Sequence, residues 1–140
     1  MIVGALEFCS LPDLKIKELH MRVDTGAKTS SLHVDNICEL VIDREKWVSF
    51  YIHPDYHDVE TVVKRQSKVK AIRKIKTSND VSENRYVIDT QIEIGGQSWN
   101  IELTLTDRSN MSYLMLLGRE AMKGRLIVDP EKEYVLAHAE

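Results

Sequence analysis

Apolar and polar residues alternate with a period of two along most of the chain. In RYVIDTQIEI, residues Tyr86, Ile88, Thr90, Ile92 and Ile94 fall on one face, while Val87, Asp89, Gln91 and Glu93 fall on the other. The stretch SWNIELTLT repeats the pattern with Trp99, Ile101, Leu103 and Leu105. Gly95-Gly96 lies between them and suits the positive φ angles of a two-residue hairpin turn. Pairing Ile94 with Gln97 sets Ile92 against Trp99, Thr90 against Ile101 and Ile88 against Leu103, so both apolar faces share one side. The same reading predicts strands over 17–24, 37–43, 46–53, 62–76, 113–117 and 133–137, and a hairpin turn at DREK, Asp43 to Lys46. One short helix is expected, from Arg119 to Lys123, stopped by Gly124. The expected fold class is all-β, a barrel or a sandwich.

Bulk properties narrow the function. A chain of 140 residues fits a single domain over 1–140. An apolar content of 43% and a charged fraction of 29% describe an ordinary globular protein. A net charge of -3 argues against a general nucleic-acid binder. No apolar run approaches the roughly 20 residues a membrane span needs. The opening MIVGALEFCSLPDLK lacks a basic region and meets Glu7 too early for a secretion signal. Cys9 and Cys38 show no metal-ligand spacing and read as buried free thiols. A cytoplasmic location is expected, with neither nucleic acid nor membrane as partner.

Candidate chemistry lies in VDTGAKTSSLH, Val23 to His33. An apolar strand delivers Asp24 to a turn, where Thr25 can lock the loop and Gly26 tightens it. Alone, Asp-Thr-Gly is also an ordinary chain reversal. A second element changes its weight: MLLGREAM, Met115 to Met122, is an apolar strand ending in Leu116-Leu117-Gly118-Arg119 and running into the helix. The combination resembles the retropepsin-like aspartic peptidases, in which an Asp-Thr-Gly-Ala loop is followed, several strands later, by two apolar residues and a Gly that thread beside it. With IELTLTDRSNMSYLMLLGREAM and VDP added, the chain is similar to a bacterial family named for ATP-dependent zinc proteases, retropepsin-like in fold and often found beside glutamate ligases of the RimK type.

The resemblance implies a retropepsin-like β-barrel with one short C-terminal helix. Asp24, Thr25 and Gly26 would form the catalytic loop, supported by Ala27, Leu117, Gly118 and Arg119. Aspartic peptidases need two carboxylates sharing one proton. Asp107-Arg108-Ser109 and Asp129-Pro130 lack the Gly that follows Asp24-Thr25, so a two-fold homodimer is implied, with one Asp24 from each copy. Thr25 would then hold the two loops together, and Gly118 would let backbone pass close beneath. Arg119 is expected to be structural. The zinc of the family name finds little support: His20, His33, His53, His57 and His138 include no H-E-x-x-H, and the HPDYH spacing of His53 and His57 is interrupted by Pro54. No Gly-rich phosphate loop supports use of ATP, and no cofactor is expected.

Two features point to an acidic substrate. Lys28 departs from the acidic or amide residue that commonly follows the Ala in retropepsins; it reads either as a solvated loop cation or as a contact for a substrate carboxylate. VVKRQSKVKAIRKIKTS carries Lys64, Arg65, Lys68, Lys70, Arg73, Lys74 and Lys76 with no acidic residue between them. On a strand, Lys64, Lys68, Lys70, Lys74 and Lys76 share one face. That face is either an edge guarded by lysines or an anion-binding strip on the hairpin where retropepsins keep their flap. Arg85 and Arg108 can also bind carboxylates through bidentate geometry. The reading is a peptidase acting on acidic, oligoglutamate-type tails such as RimK-type ligases add. The alternatives are a domain that binds such tails without cutting them and, third, a zinc metallopeptidase.

Overall fold

The computed structural model of the protein describes residues 1–53, 62–76, 80–107 and 113–136. Among them are eleven strands, a single 3-10 turn at Pro12–Leu14 and one short α-helix. The strands are β1 (Ile2–Val3), β2 (Leu6–Leu11), β3 (Ile16–Val23), β4 (Ser30–Ile42), β5 (Glu45–Ile52), β6 (Val63–Lys68), β7 (Ala71–Lys76), β8 (Ser82–Ile94), β9 (Gln97–Asp107), β10 (Met115–Leu117) and β11 (Ile127–Val128). The helix, α1, spans Arg119–Met122. Lys123 leaves the helical conformation and Gly124 follows at φ 72°, a left-handed turn that favours glycine.

The main sheet runs β10-β3-β2-β8-β9-β4, and β10 also pairs with β4, so the sheet closes on itself as a barrel. Closure gives each of these six strands a partner on both sides and wraps them around a core that includes Leu19, Met21, Leu32, Ile88, Leu103 and Met115, each fully buried or nearly so. The β8–β9 hairpin has the register expected from the sequence: Ile94 faces Gln97, Ile92 faces Trp99, Thr90 faces Ile101 and Ile88 faces Leu103. Its turn sits at Gly95 and Gly96, with φ 55° and 81°. The β4–β5 turn at Asp43 and Arg44 also has both residues at positive φ, 50° and 66°, and pairs Ile42 with Glu45.

Four expectations are corrected. The strand over 62–76 is two strands: β6 pairs with β5, then a corner at Val69-Lys70 sends β7 against β8. The corner is two residues long, so the alternation stays in phase and the pattern carries no sign of the break. The strand over 133–137 is absent as far as residue 136; the amides of 134–136 bond to the Leu6 carbonyl and the Glu7 carboxylate instead of a ladder. The last strand is β11, paired parallel to β1. β4 begins at Ser30 rather than 37, bending at Asn36 (φ 52°) so that its first half joins β9 and its second joins β5. Finally, Cys38 is exposed, while Cys9 is buried and its thiol is pushed up to about 12 by burial.

Candidate active site

The Asp-Thr-Gly loop is the C-terminal exit of β3. Met21 and Val23 anchor in the core, and the chain then turns outward, leaving Asp24 half-buried with Thr25 and Gly26 exposed. The turn is held by the aspartate itself. Its Oδ1 accepts the Gly26 amide at 2.9 Å and its carbonyl accepts the Ala27 amide at 3.2 Å. This local side-chain-to-backbone bond orients the carboxylate without help from other side chains.

The second motif straps the loop from below. β10 lies parallel to β3 with Leu117 beside Val23, and the Leu117 carbonyl accepts the Asp24 amide at 2.9 Å. The Arg119 amide donates to the Ala27 carbonyl at 2.8 Å, and the Glu120 amide to Lys28 at 3.1 Å. The Arg119 guanidinium donates to the carbonyls of Thr25 and Gly26 at 3.4 and 3.2 Å. Gly118 passes so close to Thr29 that a Cβ there would lie 2.5 Å from its carbonyl carbon. The Gly118 amide is satisfied by Ser30 Oγ at 3.0 Å, a buried contact that no sequence signal marked. Asp24, Thr25, Gly26, Ala27, Leu117, Gly118 and Arg119 thus form one bonded unit.

The basic residues are less open than their spacing suggests. On β7 the side chains alternate as expected, with Lys74 and Lys76 exposed, but Arg73 turns the other way and meets Glu102 on β9 at 2.9 Å. Lys70 contacts Glu102 at 2.9 Å and Asp89 at 3.2 Å. Beside Arg73 first and Lys70 second, the Glu102 carboxyl is pulled down to about 2. All three side chains are more than a third exposed, so water screens these contacts. Lys68 pairs with Glu45, Lys76 with Asp80 and Arg85 with Glu83, while Arg65 donates to the Leu14 carbonyl and Lys64 lies over the Tyr51 ring. Lys28 is exposed on the loop beyond Ala27. Arg108 lies outside the described residues.

The histidines are scattered. His53 pairs with Asp35 at 2.7 Å, His20 packs against Phe8, Tyr113 and Tyr134, and buried His33 is held below its ordinary pKa mainly by desolvation. His57 and His138 lie outside the described residues. Among the described residues, no three or more of His, Cys, Asp and Glu gather as a ligating cluster. No helix among them is long and apolar enough to cross a membrane.

The profile of a family described as RimB-like, retropepsin-like aspartic endopeptidase RimB, matches residues 2–139. The chain belongs to the RimB-like family. A crystal structure of a Legionella pneumophila protein of unknown function superposes with a TM-score of 0.79 at 27% identity, covering 96% of this chain and 97% of that one. Proteins named "Probable alpha-L-glutamate ligase" are similar over most of the chain: that of Parasynechococcus marenigrum is 48% identical over 97% of it, and that of Shewanella pealeana 46% over 96%. This RimB-like chain spans only 29% and 30% of those relatives' lengths.

Proposed function

We propose that this RimB-like chain is the subunit of a homodimeric aspartic peptidase whose two Asp24 carboxylates meet at the dimer axis. One carboxylate, ionised, takes a proton from water; the other, protonated, polarises the scissile carbonyl. The supporting observation is the strapped loop: a half-buried Asp24 on a rigid turn, with Thr25 and Gly26 at an exposed tip available to a second copy. Arg119 and Gly118 keep that tip rigid, which preorganises the carboxylate.

The substrate we infer is an acidic, oligoglutamate-type tail. Lys28 follows the loop directly, and Lys74 and Lys76 are exposed on the β7–β8 hairpin. Arg85 on β8 stands opposite Arg73, on the other face of that hairpin, and is paired with Glu83. Relatives more than three times the length of this chain are named probable alpha-L-glutamate ligases, which supports a functional link to glutamate ligation. A hydrolase acting in the cytoplasm beside a RimK-type ligase would remove what the ligase adds. The competing reading is a domain that binds acidic tails without cleaving them.

The deciding experiment is hydrolysis of an α-linked oligoglutamate and of a neutral peptide of equal length, with and without a chelator. Cleavage of the acidic peptide should fall by at least about a hundredfold in Asp24→Asn and ignore the chelator. Binding of the glutamate chain without cleavage would move the protein to the binding class. Loss of cleavage on chelation would instead favour metal chemistry.

A further inference from the structure

Next to the strapped loop lies a cavity of about 660 Å³, bounded by Lys28–Ser30, the start of β7, the middle of β9 and α1 with the turn after it. That volume is within the range of pockets that hold small ligands or a few residues of peptide. Five cations line it: Lys28, Lys70, Arg73, Lys123 and Arg125. The three carboxylates that line it are Asp89, Glu102 and Glu120.

The pairing inside the cavity is uneven. Lys70 and Arg73 hold Glu102, Lys70 also reaches Asp89, and Lys123 holds Glu120 at 3.1 Å. Lys28 and Arg125 have no carboxylate partner among the described residues; the Arg125 guanidinium sits 5.4 Å over the Trp99 ring. The indole is fixed in turn, because Trp99 Nε1 donates to the Ala121 carbonyl at 2.9 Å. Glu102 is gripped through both its oxygens, Oε1 by Arg73 at 2.9 Å and Oε2 by Lys70 at 2.9 Å. This is the way a glutamate side chain of a ligand would be gripped. Because the pair is partly exposed, water screens it, and a competing carboxylate can replace it.

We propose that this cavity is a carboxylate subsite that the chain's own Glu102 fills in the free protein. An acidic peptide occupies it by displacing Glu102 from Lys70 and Arg73, with Lys28 and Arg125 as further anchors. The subsite rests on the acidic-ligand reading above and extends it from the loop to α1. Glu102 is then an internal competitor: it lowers affinity for single carboxylates, and a ligand presenting several in a row overcomes it.

The test is calorimetric titration with α-linked hexaglutamate, using the full chain in an Asp24→Asn background so that nothing is cleaved, with hexaglutamine as the uncharged control. Glu102→Gln should tighten hexaglutamate binding about two- to fivefold; Arg73→Gln and Arg125→Gln should weaken it by a similar factor. Hexaglutamine affinity should not change. If Glu102→Gln does not fold, Glu102→Asp, which keeps the charge but withdraws it from Arg73, should tighten binding in the same direction. Unchanged or weaker binding in the folded Glu102 variant, or an Arg125→Gln affinity equal to that of the parent, overturns the subsite. Cleavage of the same peptide by protein carrying Asp24 is read separately. Cleavage with a flat affinity pattern removes only the subsite, and the affinity pattern without cleavage removes only the peptidase.

Discussion

At the scale of single residues, the Asp24 loop depends on what Gly118 lacks. A methyl at that position would meet Thr29 backbone, which cannot swing aside as a side chain could, so the strap and the loop must separate. Gly118→Ala should therefore cost about 1–3 kcal/mol and abolish the proposed hydrolysis. Gly124→Ala supplies the comparison: its φ of 72° makes it strained by a similar amount, but nothing lies within 4 Å of its Cβ. Denaturant unfolding should show both variants destabilised, while cleavage assays well below the transition should show Gly124→Ala active and Gly118→Ala silent. Equal activity in the two would mean that the close approach is incidental to the loop's geometry. The loop and its strap were legible in the sequence because each is a contiguous motif, even though most of the bonds that hold them run from one motif to the other. Ser30 was not, since a serine that accepts one buried amide across 88 positions of chain leaves no pattern.

Elements were legible where turn chemistry and alternation agreed, as in the β8–β9 hairpin. They were not where side chains replaced a ladder. Glu7 on β2 shows why. It points into the protein, fully buried, where alternation alone leads one to expect an apolar residue. Its Oε2 accepts the amides of Gly4 and Val135 at 2.7 and 2.9 Å, and its Oε1 that of Leu136 at 3.3 Å. One carboxylate, an acceptor with room for several donors, thus pins both the β1–β2 turn and the C-terminal segment. The apolar letters of 133–137 suggested a strand, but the chain there is docked by this side chain and by a bond from the Tyr134 amide to the Leu6 carbonyl. Glu7→Gln turns one acceptor into a donor facing donors. It should cost about 1–3 kcal/mol and speed amide exchange at 134–136 ahead of the barrel strands. Hydrogen exchange read by mass spectrometry separates this local release from uniform destabilisation.

For the whole molecule, barrel closure and loop support are the same event, because β10 bonds to β3 on one side and to β4 on the other before it becomes the strap at Gly118. The pairing of Lys70 and Arg73 with Glu102 belongs to this scale too: their partner comes 29 or more positions later, and only the closed sheet brings them together. What a single chain lacks is a second Asp-Thr-Gly. If catalysis needs two copies of Asp24, activity depends on how subunits combine rather than on how many are present. Mixing wild type with Asp24→Asn in equal amounts, under conditions that allow exchange, should leave about a quarter of the activity of the same total of wild type, the share of pairs carrying two aspartates. Independent subunits would retain about one half, because each wild-type chain would work regardless of its neighbour. A titration of mixing ratios makes the distinction sharper. The dyad predicts a fall with the square of the wild-type fraction and the lone aspartate a straight line, so curvature alone reports whether Asp24 works in pairs.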